Sequence, residues 1–318
     1  MELGDLPQEI LIEIFSRLPP KSLGKCRCSA KLWLNLLSTP HFIKSHLTRK
    51  THQEYLIVNT TFDPTYSIST IKDDSIWKTL PAGLGLRDQT HVVGSCDGLV
   101  LIVPEYFDKL LVNPITMQQL KIPNSPLALN RSESVTMHGF GYDSCSDDYK
   151  VVMLSYYDAD NEHDSTFVDV YSVKRGVWKR VHNSPYDHPF NLADEVFNEI
   201  SAPSGVNLRN FPLNKLVVRG ECLCMIEYDR TDVWTMEEYG LKESWTKFGV
   251  HADNEYFIQR PLGWFGDEEL VLVTKCVTLV VYNRTNGILR MVIKGDVLQP
   301  LDGCTFVESL VSPALISA

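Results

Sequence analysis

Two pairs of closely spaced cysteines are the first candidates for chemistry, because thiolates are common ligands of structural zinc. Cys26 and Cys28 form one pair, and Cys222 and Cys224 form the other, each with a single residue between them. Structural zinc sites typically place about two to four residues between such ligands. In a strand, Cys222 and Cys224 would also lie on the same face. The spacing therefore predicts core thiols and no metal site.

A second candidate is the string Ser95-Cys96-Asp97, which contains two potential nucleophiles. A serine or cysteine nucleophile needs a base that activates it, and the sequence places no histidine for this role. Asp97 is followed by Gly98, and this pair is typical of tight turns. We therefore interpret the string as a turn and not as a catalytic site.

Three aspartates, Asp143, Asp147 and Asp148, offer the oxygen ligands that hard cations prefer, but their spacing is not that of a calcium-binding loop. We predict that they cap a hairpin turn. The glycine-rich residues 138–142 precede a strand pattern and not a helix, so they do not form a phosphate cradle. No residue set predicts catalysis, a metal or a cofactor, and we expect a protein that acts by binding.

The elements that would position binding residues begin with a helical segment. Pro7 suits a helix start, where its missing N–H has no partner to lose, and Pro19-Pro20 ends the helix. Between them, apolar residues recur at helical period and form one wide face of Ile10, Leu11, Ile14, Phe15 and Leu18. A second helical stretch runs to Leu37 and a third covers 41–47, so we predict three helices.

This apolar face has two interpretations. It is typical of the core of a small helical bundle. However, about fifty residues bury only a modest core by themselves, which indicates that a partner covers part of the face.

Charge is divided unevenly along the 318 residues. Residues 1–50 contain eight basic and four acidic residues, a net charge of +4, whereas the remainder contains 22 basic and 36 acidic residues, a net charge of −14. Phosphate binding depends on Lys and Arg, so the acidic body argues against nucleic acid as a partner.

The body after about residue 50 is rich in strands and contains four similar units. Each unit has a Gly or Asp turn, a strand of Val, Leu and Ile, a second strand, a polar turn and a third strand. The units begin with the strings CDGLVLI, DDYKVVML, GECLCMI and DEELVLV. Antiparallel units that close on themselves predict an all-β propeller, with at most six blades of about 40 to 45 residues each.

One step of this repeat is too short. Tyr171 and Phe190 end the second strands of successive units and are 19 residues apart, less than half of a blade of about 40 to 45 residues. We predict that the propeller-like domain is incomplete or distorted near residues 182–200.

The N-terminal segment, residues 1–48, resembles an F-box in the strings LPQEILIEIFSRLPPKSLGKCRCSAKLW and PHFIKSHL. The family usually has Cys-Val-Ser-Lys where this chain has Cys28-Ser29-Ala30-Lys31, so one apolar contact is lost. The resemblance implies docking on a Skp-type adaptor, which a cullin scaffold holds within a ubiquitin ligase. The implied adaptor contacts are Leu6, Pro7, Ile10, Leu11, Ile14, Leu18, Pro19, Leu23 and Cys26.

Residues 49–318 resemble the F-box-associated domain of plant F-box proteins of the defence-regulating and S-locus type. The resemblance rests on GSCDGLV from Gly94, LVNPIT from Leu111, HGFGYDSCSDDYKVV from His138 and VESLVSP from Val307. Relatives normally carry a Gly-Ala-Leu-His-Trp stretch before the strand that corresponds to Phe190. About two strands are absent here, in agreement with the short step.

The two resemblances imply a non-catalytic substrate-recognition subunit of a Skp-cullin-F-box ubiquitin ligase. The β domain would hold a target protein for ubiquitination and degradation, and the defence-regulating relatives suggest an immune receptor as that target. Target-reading residues are expected on loops of one propeller face, at 156–164, 186–189 and 251–256. The chain shows neither a signal peptide nor a membrane span, so we expect it in the cytoplasm, the nucleus or both.

Two other functional classes remain open. The β domain could be a propeller-type module that binds a glycan or another small ligand, which clustered aromatic and amide side chains in one pocket would favour. The chain could also be an oxidase of the kelch-propeller kind. That activity needs histidine and tyrosine ligands for copper at the ring centre, and the histidines here lie mostly in predicted loops.

Overall fold

The computed structural model describes residues 6–48, 54–62, 65–72, 75–79, 90–104, 108–129, 134–157, 166–184, 190–191, 196–197, 200–206, 215–220, 222–226, 232–250, 258–274, 278–293 and 299–316. Within these residues, a helical module (residues 6–48) is followed by a β domain (residues 54–316) that ends in a short helix. The predicted order, a small helical segment before an all-β body, is confirmed.

The helical module contains four helices and not the predicted three: α1 (Gln8–Phe15), α2 (Pro20–Ser29), α3 (Lys31–Leu37) and α4 (Pro40–Leu47). The predicted second helix is divided at Ala30, whose extended backbone, with φ −153° and ψ 141°, interrupts the helical hydrogen bonds. Proline occupies the first position of both α2 and α4, where its missing N–H needs no partner. The Thr39 hydroxyl accepts a hydrogen bond from the Phe42 amide at 3.3 Å and caps α4.

The core of the module is formed by one side of each helix. Its buried side chains are Leu11, Phe15, Leu23, Leu36, Leu37, Phe42 and Ile43. Phe15 and Trp33 pack edge to face with ring centroids 5.6 Å apart. His46 contacts the carbonyl of Leu18 through Nε2 at 2.9 Å, so the last helix is tied to the end of the first.

The β domain consists of antiparallel sheets. Sheet 1 contains β1 (Glu54–Phe62), β2 (Thr65–Lys72), β3 (Ser75–Thr79) and β22 (Gln299–Val307), and sheet 2 contains β4 (Thr90–Cys96), β5 (Leu99–Pro104), β6 (Lys109–Asn113) and β7 (Gln118–Ile122). Sheet 3 contains β8 (Ser134–Asp143), β9 (Asp148–Tyr157), β10 (Thr166–Ser172) and β11 (Val177–Ser184). Sheet 4 contains β14 (Lys215–Arg219), β15 (Cys222–Ile226), β16 (Asp232–Met236) and β17 (Trp245–Gly249). Sheet 5 contains β18 (Ile258–Phe265), β19 (Glu269–Thr274), β20 (Leu279–Asn283) and β21 (Leu289–Ile293).

Each of these sheets has four strands, one more than the three that the repeat predicts. In sheets 2 to 5, which correspond to the four predicted units, the additional strand lies before the Gly or Asp turn and is the inner strand of its sheet, whereas the inner strand of sheet 1 is β22. The inner strands lie side by side in the order β14, β18, β22, β4 and β8, as the blades of a propeller do.

The first and last strands of the β domain belong to the same sheet, because β22 pairs with β1 from Glu54↔Val307 to Thr61↔Gln299. A strand from the end of the chain thereby completes the sheet that the start of the domain began. This pairing protects an edge strand that would otherwise expose its unpaired N–H and C=O groups.

The segment between sheets 3 and 4 has no four-stranded sheet among its described residues, as predicted. Among its described residues, it contributes a two-stranded ladder, β12 (Phe190–Asn191) with β13 (Val196–Phe197). The two inner strands that flank it, β8 and β14, are the ends of the side-by-side series. The predicted distortion near residues 182–200 is therefore confirmed.

The helical module packs directly on the β domain. Leu11, Phe15, Leu23 and Phe42 belong to the same continuous core as residues of sheets 2 and 3, which include Leu99, Leu101, Leu111, Tyr149 and Val151. Leu310 and Val311 of the C-terminal segment join this core, and the short helix α5 (Pro313–Ile316) lies against β6 and β7. The two parts of the chain thus share one buried interface.

Candidate protein-binding surfaces

The nine side chains predicted to contact an adaptor differ in their exposure. Four are exposed (Pro7, Ile10, Ile14, Pro19), three are half-buried (Leu6, Leu18, Cys26) and two are buried (Leu11, Leu23). The structure therefore separates residues that are available to a partner from residues that form the core of the module.

The exposed part of α1 is aliphatic. Ile10 and Ile14 retain 48% and 40% of their full exposure, and their four-residue spacing places them one above the other on the same side of the helix. The neighbouring residue Leu11 is only 3% exposed and points into the core. The apolar face predicted from the sequence is thus wide enough to serve both a core and an uncovered surface.

A second exposed apolar pair, Leu32 and Leu34, lies on α3, and neither residue is among the adaptor contacts predicted from the sequence. Leu32 is 58% exposed and Leu34 is 45% exposed, whereas Trp33 between them contacts Phe15. Successive helical residues point about 100° apart, so an inward Trp33 directs both leucines away from the core. A Leu-Trp-Leu string in a short amphipathic helix is the signal that indicates this pair.

An ion pair joins the helical module to the turn between β8 and β9. Lys44 Nζ donates to Asp147 Oδ1 at 2.5 Å and lies 5.8 Å from the centroid of the Tyr142 ring, and the Tyr142 hydroxyl donates to the same carboxylate. These bonds lower the pKa of Asp147, chiefly through Lys44. They also raise the pKa of Lys44, chiefly through Asp147.

The C-terminal segment 308–312 is buried and links sheet 1 to sheet 2. Asn113 Nδ2 donates to the carbonyls of Ser309 at 3.1 Å and Val311 at 2.8 Å. The Tyr55 hydroxyl on β1 donates to the Glu308 carboxylate. The residues of the string VESLVSP therefore connect β1 with sheet 2, next to the helical module.

Of the three aspartates predicted to cap a hairpin turn, Asp143 does so, whereas Asp148 bonds to the turn between β10 and β11 and Asp147 pairs with Lys44. Asp143 accepts hydrogen bonds from the Cys145 amide at 2.9 Å and from Ser146 Oγ at 2.5 Å, and it pairs with Lys150 at 2.9 Å. Burial acts to raise the pKa of Asp143, but these three partners outweigh it and hold the pKa at about 2. Asp148 accepts from the Lys174 amide at 2.9 Å and from Ser172. Both carboxylates are used within the protein.

The prediction that the paired cysteines are core thiols is correct for Cys224 and wrong for Cys28. Cys224 is buried, with Sγ 3.6 Å from Thr235 Oγ1, but Cys28 on α2 is exposed and is not a core thiol. Residues two apart on a helix point about 200° away from each other, so Cys26 and Cys28 cannot share a face. Burial, assisted by Asp97, raises the pKa of Cys96 to about 12, which disfavours a thiolate nucleophile there.

Cavities in the described part of the β domain include two that lie between neighbouring sheets. One, of about 570 Å³, lies between sheets 4 and 5 and is lined by charged residues that include Arg219, Asp267 and Arg284. The other, of about 350 Å³, lies between sheets 2 and 3. Among the described lining residues, neither has a Phe, Tyr or Trp side chain, and stacking on aromatic rings is the feature that would favour a glycan-binding pocket.

Three further features concern a metal site, a membrane span and the loops predicted to bind a target. Among the described residues, no group of three or more His, Cys, Asp or Glu side chains is placed to hold a metal ion. No helix in the described ranges is both long and apolar enough to cross a membrane. The predicted target-reading loops lie outside the described residues, except for residues 156 and 157 at the end of β9.

Comparison with known proteins relates both parts of the chain to one family. Residues 3–45 match the F-box domain, and residues 53–197 match the F-box associated beta propeller domain. F-box protein CPR1 of Arabidopsis thaliana is 30% identical over 352 positions, which cover 91% of this chain and 85% of that protein. The F-box/kelch-repeat protein At3g23880 of the same plant is 28% identical over 360 positions, which cover 97% of this chain and 96% of that protein.

Both alignments are longer than the 318 residues of this chain, so both relatives contain segments without a counterpart here. Among solved structures, an oligogalacturonate lyase in complex with manganese has 12% identity and a TM-score of 0.41, over 79% of this chain and 80% of that protein. A TM-score at this level is too low to relate the two proteins in function. The matched domains, their order along the chain and the Arabidopsis relatives show that this chain belongs to the plant F-box proteins with an F-box-associated β-propeller domain.

Proposed function

We propose that this chain is the substrate-recognition subunit of a Skp-cullin-F-box ubiquitin ligase. In this role the F-box docks on a Skp-type adaptor, and through it on a cullin, while the β-propeller domain holds a target protein for ubiquitination and degradation. The observation that carries the proposal is an F-box with an uncovered aliphatic face, attached through a shared core to a β-propeller domain.

The adaptor surface is proposed on the exposed side of α1. Ile10 and Ile14 are the apolar side chains there that have surface left to bury, and complete burial of a large aliphatic side chain contributes about 1.5 to 3 kcal/mol. Pro7 and Pro19 are exposed at the two ends of the same helix. Leu32 and Leu34 on α3 are the next candidates.

Leu11 and Leu23 are proposed to support this surface indirectly. Both are buried in the shared core, so in this structure a partner cannot reach them. Their substitution would alter adaptor binding by moving α1 and α2. Leu6, Leu18 and Cys26 are half-buried and are proposed as contacts at the margin.

The subunit is proposed to act by positioning and not by catalysis. Because the F-box and sheets 2 and 3 share a core, a target on the propeller would be held at a restricted distance and orientation from the adaptor. Restricting two reactants in this way raises their effective concentration. The transfer of ubiquitin would then be the chemistry of the other subunits.

The target would bind the propeller face opposite the F-box. The F-box contacts the end of sheets 2 and 3 that contains Asp97 and Asp147, so the loops at the other end remain available. We propose a protein target, with an immune receptor as the candidate that the resemblance to defence-regulating F-box proteins suggests, and a location in the cytoplasm or nucleus. A glycan or small-ligand module is the second candidate, although the described lining of neither cavity includes the Phe, Tyr or Trp side chains that would favour it.

The proposal is tested by co-expressing the full chain with a plant Skp-type adaptor and measuring complex formation by size-exclusion chromatography. The wild-type chain should elute as a one-to-one complex, and the double variant Ile10→Ala/Ile14→Ala should lose it while it remains folded. The matched control is Ile288→Ala/Met291→Ala, which removes two similarly exposed apolar side chains from sheet 5. Wild-type binding by the α1 variant would contradict the proposed surface, and absence of a complex with a folded wild-type chain would contradict the function.

A further inference from the structure

Sheets 3 and 4, which flank the irregular segment, each have one face that no four-stranded sheet of the described structure covers. The inner strands lie side by side from β14 through β18, β22 and β4 to β8, so β14 and β8 are the two ends of the series. Between these ends, the described residues contribute the two-stranded ladder of β12 and β13. An opening in the ring is therefore bounded by β8 on one side and by β14 on the other.

The side of β14 that faces this opening follows from strand alternation. Val217 packs on the core cluster that contains Trp264 of sheet 5, and successive side chains of a strand point to opposite faces. Leu216 and Val218 therefore point away from sheet 5 and towards the opening. They are 49% and 63% exposed.

The same argument identifies the side of β8 that faces the opening. Thr136 and His138 line the cavity between sheets 2 and 3, so Met137, which lies between them in the sequence, points to the other face of sheet 3. Met137 is 46% exposed. Each of the two sheets thus presents apolar surface to the opening from its inner strand.

This uncovered apolar area, the notch, consists of Met137 on one wall and of Leu216 and Val218 on the other. It is confined to the inner strands. Leu216 is exposed, but its ladder partner Met225 on β15 is buried. On sheet 3, Val168 lies on the same face as Met137, two strands away, and is buried. The uncovered strip on each sheet is therefore about one strand wide.

The outer part of the sheet 4 wall is covered by the chain itself. Trp245 on β17 lies on the same face as Val218, and its Nε1 donates to the carbonyl of Ser201 at 2.9 Å. Pro203, two residues further on, is buried. The segment that connects sheets 3 and 4 thus covers the outer strands and leaves the strip on β14 open.

The shape of the notch decides what can occupy it. A globular partner or a second copy of the chain presents a broad convex surface, which does not reach a strip one strand wide between two walls. An extended segment fits, because its successive side chains point to opposite sides. Alternate residues of such a segment would contact Met137, and the residues between them would contact Leu216 and Val218.

The length of the chain supports the same occupant. The 19-residue step between Tyr171 and Phe190 is shorter than a blade by about 20 residues, which exceeds the usual strand length of about 5 to 6 residues. The alignment with F-box protein CPR1 also extends over 352 positions, although this chain has 318 residues. A strand from another protein would therefore enter a place that this chain does not fill with an inner strand of its own.

The position and chemistry of the notch agree with the face proposed for the target. The F-box binds the turn at Asp147, which follows β8, whereas Met137 and Leu216 lie in the earlier parts of β8 and β14, nearer to the opposite face. The walls carry no charge, although the domain has a net charge of −14. Methionine adapts to side chains of different shape, so the walls select apolar residues and not one particular residue.

We propose that the notch receives an extended segment of the target protein with large aliphatic side chains at consecutive positions. The segment would take the place of the inner strand of a missing blade. The inference rests on the proposed function, because it assumes that the propeller binds a protein. It adds the conformation and the chemistry of the recognised segment.

The test measures retention of synthetic nonapeptide pools on the immobilised full chain, with and without a plant Skp-type adaptor. The first pool carries isoleucine at the four positions 4 to 7. The second carries four isoleucines at positions 1, 4, 5 and 8, as on one face of a helix, and the third carries serine at positions 4 to 7. All other positions are randomised among polar residues. The first pool should be retained about tenfold more than the third and clearly more than the second, because an extended segment then buries aliphatic side chains on both walls.

Variants of each wall test the site. Met137→Glu changes one wall and Val218→Glu the other, and each should reduce retention of the first pool to about that of the serine pool, because a carboxylate would be buried against aliphatic side chains. Both residues are exposed, so the thermal unfolding curve should be kept. The matched controls are Met291→Glu on β21 and Val177→Glu on β11, which change exposed residues of the same types on outermost strands and should keep the retention.

Several results would overturn the inference. They are equal retention of the first and third pools, retention of the second pool as strong as that of the first, unchanged retention in either wall variant, and loss of retention in a control variant. A clear fall of the unfolding temperature in both wall variants would show that the chain itself covers the notch. A wild-type dimer that becomes a monomer in Val218→Glu would show that a second copy covers it.

The adaptor complex is measured on the same samples by size-exclusion chromatography. A normal adaptor complex without a preference for the first pool contradicts this inference alone. A preference for the first pool without an adaptor complex contradicts the proposed adaptor docking and leaves the notch as a peptide-binding site.

Discussion

Lys44 Nζ on the last helix of the F-box lies 2.5 Å from Asp147 Oδ1 in the turn between β8 and β9. The pair stands at the margin of the core that the F-box shares with the propeller, and Tyr142 contacts both of its members. Its side chains are both more than half exposed. Such a pair orients the two domains more than it stabilises them.

The energy of this pair should be small and sensitive to salt. A double-mutant cycle with Lys44→Met and Asp147→Asn is expected to give a coupling free energy of about 0.2 to 1 kcal/mol at low ionic strength, typical of exposed pairs. The coupling should decrease at high salt because exposed charges are screened. The coupling is measured by urea unfolding of the wild-type chain, the two single variants and the double variant, each at two salt concentrations. A coupling free energy that does not depend on salt would contradict this account.

Asn113 should be far more important for stability than its equivalent in sheet 5. Asn113 is fully buried, and its side chain both donates to the C-terminal segment and accepts from the Ile115 amide at 2.9 Å. Asn113→Ala leaves these groups without partners and should lower the free energy of unfolding by about 2 to 4 kcal/mol. Chemical denaturation of the purified chain measures the loss.

The control for this prediction is Asn283→Ala. Asn283 accepts in the same way from the amides of Thr285 and Asn286, but it is only half-buried, so water can replace the lost bonds. We expect a loss of about 1 kcal/mol. Equal losses of unfolding free energy for both variants would show that the bonds from Asn113 to the C-terminal segment add nothing to stability.

Gly98 should tolerate alanine less well than Gly287. Both have a positive φ, 77° and 71°, which costs an L-residue about 1 to 2 kcal/mol. A Cβ at Gly98 would also lie 2.4 Å from Ser309 Oγ and 2.6 Å from the carbonyl oxygen of Val307, whereas one at Gly287 meets open space. Gly98→Ala should therefore lower the midpoint of urea unfolding clearly more than Gly287→Ala, and a reversed order would argue against close packing of the C-terminal segment on this turn.

Acid should weaken the turn at Asp143. Its pKa is held at about 2, below the usual 3.8, so the unfolded chain binds the proton more readily than the folded chain does. The stability that Asp143 contributes is present above pH 3.8 and is lost as the pH falls towards 2. Urea unfolding at successive pH values should show the difference between the wild-type chain and Asp143→Asn shrinking over this interval. Asp108→Asn, which changes an exposed carboxylate, serves as the control.

Much of the chain was predictable because its signals are local. The helical period and the prolines located the F-box helices, and the Asp-Gly and Asn-Gly pairs located turns of the propeller. The 19-residue step between Tyr171 and Phe190 located the irregular segment. The division of the predicted second helix at Ala30 was not predictable, because alanine favours a helix whereas its backbone here is extended.

The candidate surfaces depended on contacts between distant residues. The sequence by itself determined that Ile10 and Leu11 are both apolar and lie on a wide helical face, and that the F-box precedes a propeller with a short repeat. Only the tertiary structure decided that Leu11 is buried while Ile10 is exposed. It also decided that β22 pairs with β1 and completes sheet 1, and that Lys109 lines a cavity on the face opposite the F-box. The physical reason is that hydrophobic periodicity and turn propensity act between near neighbours, whereas burial depends on which surfaces of the folded chain meet.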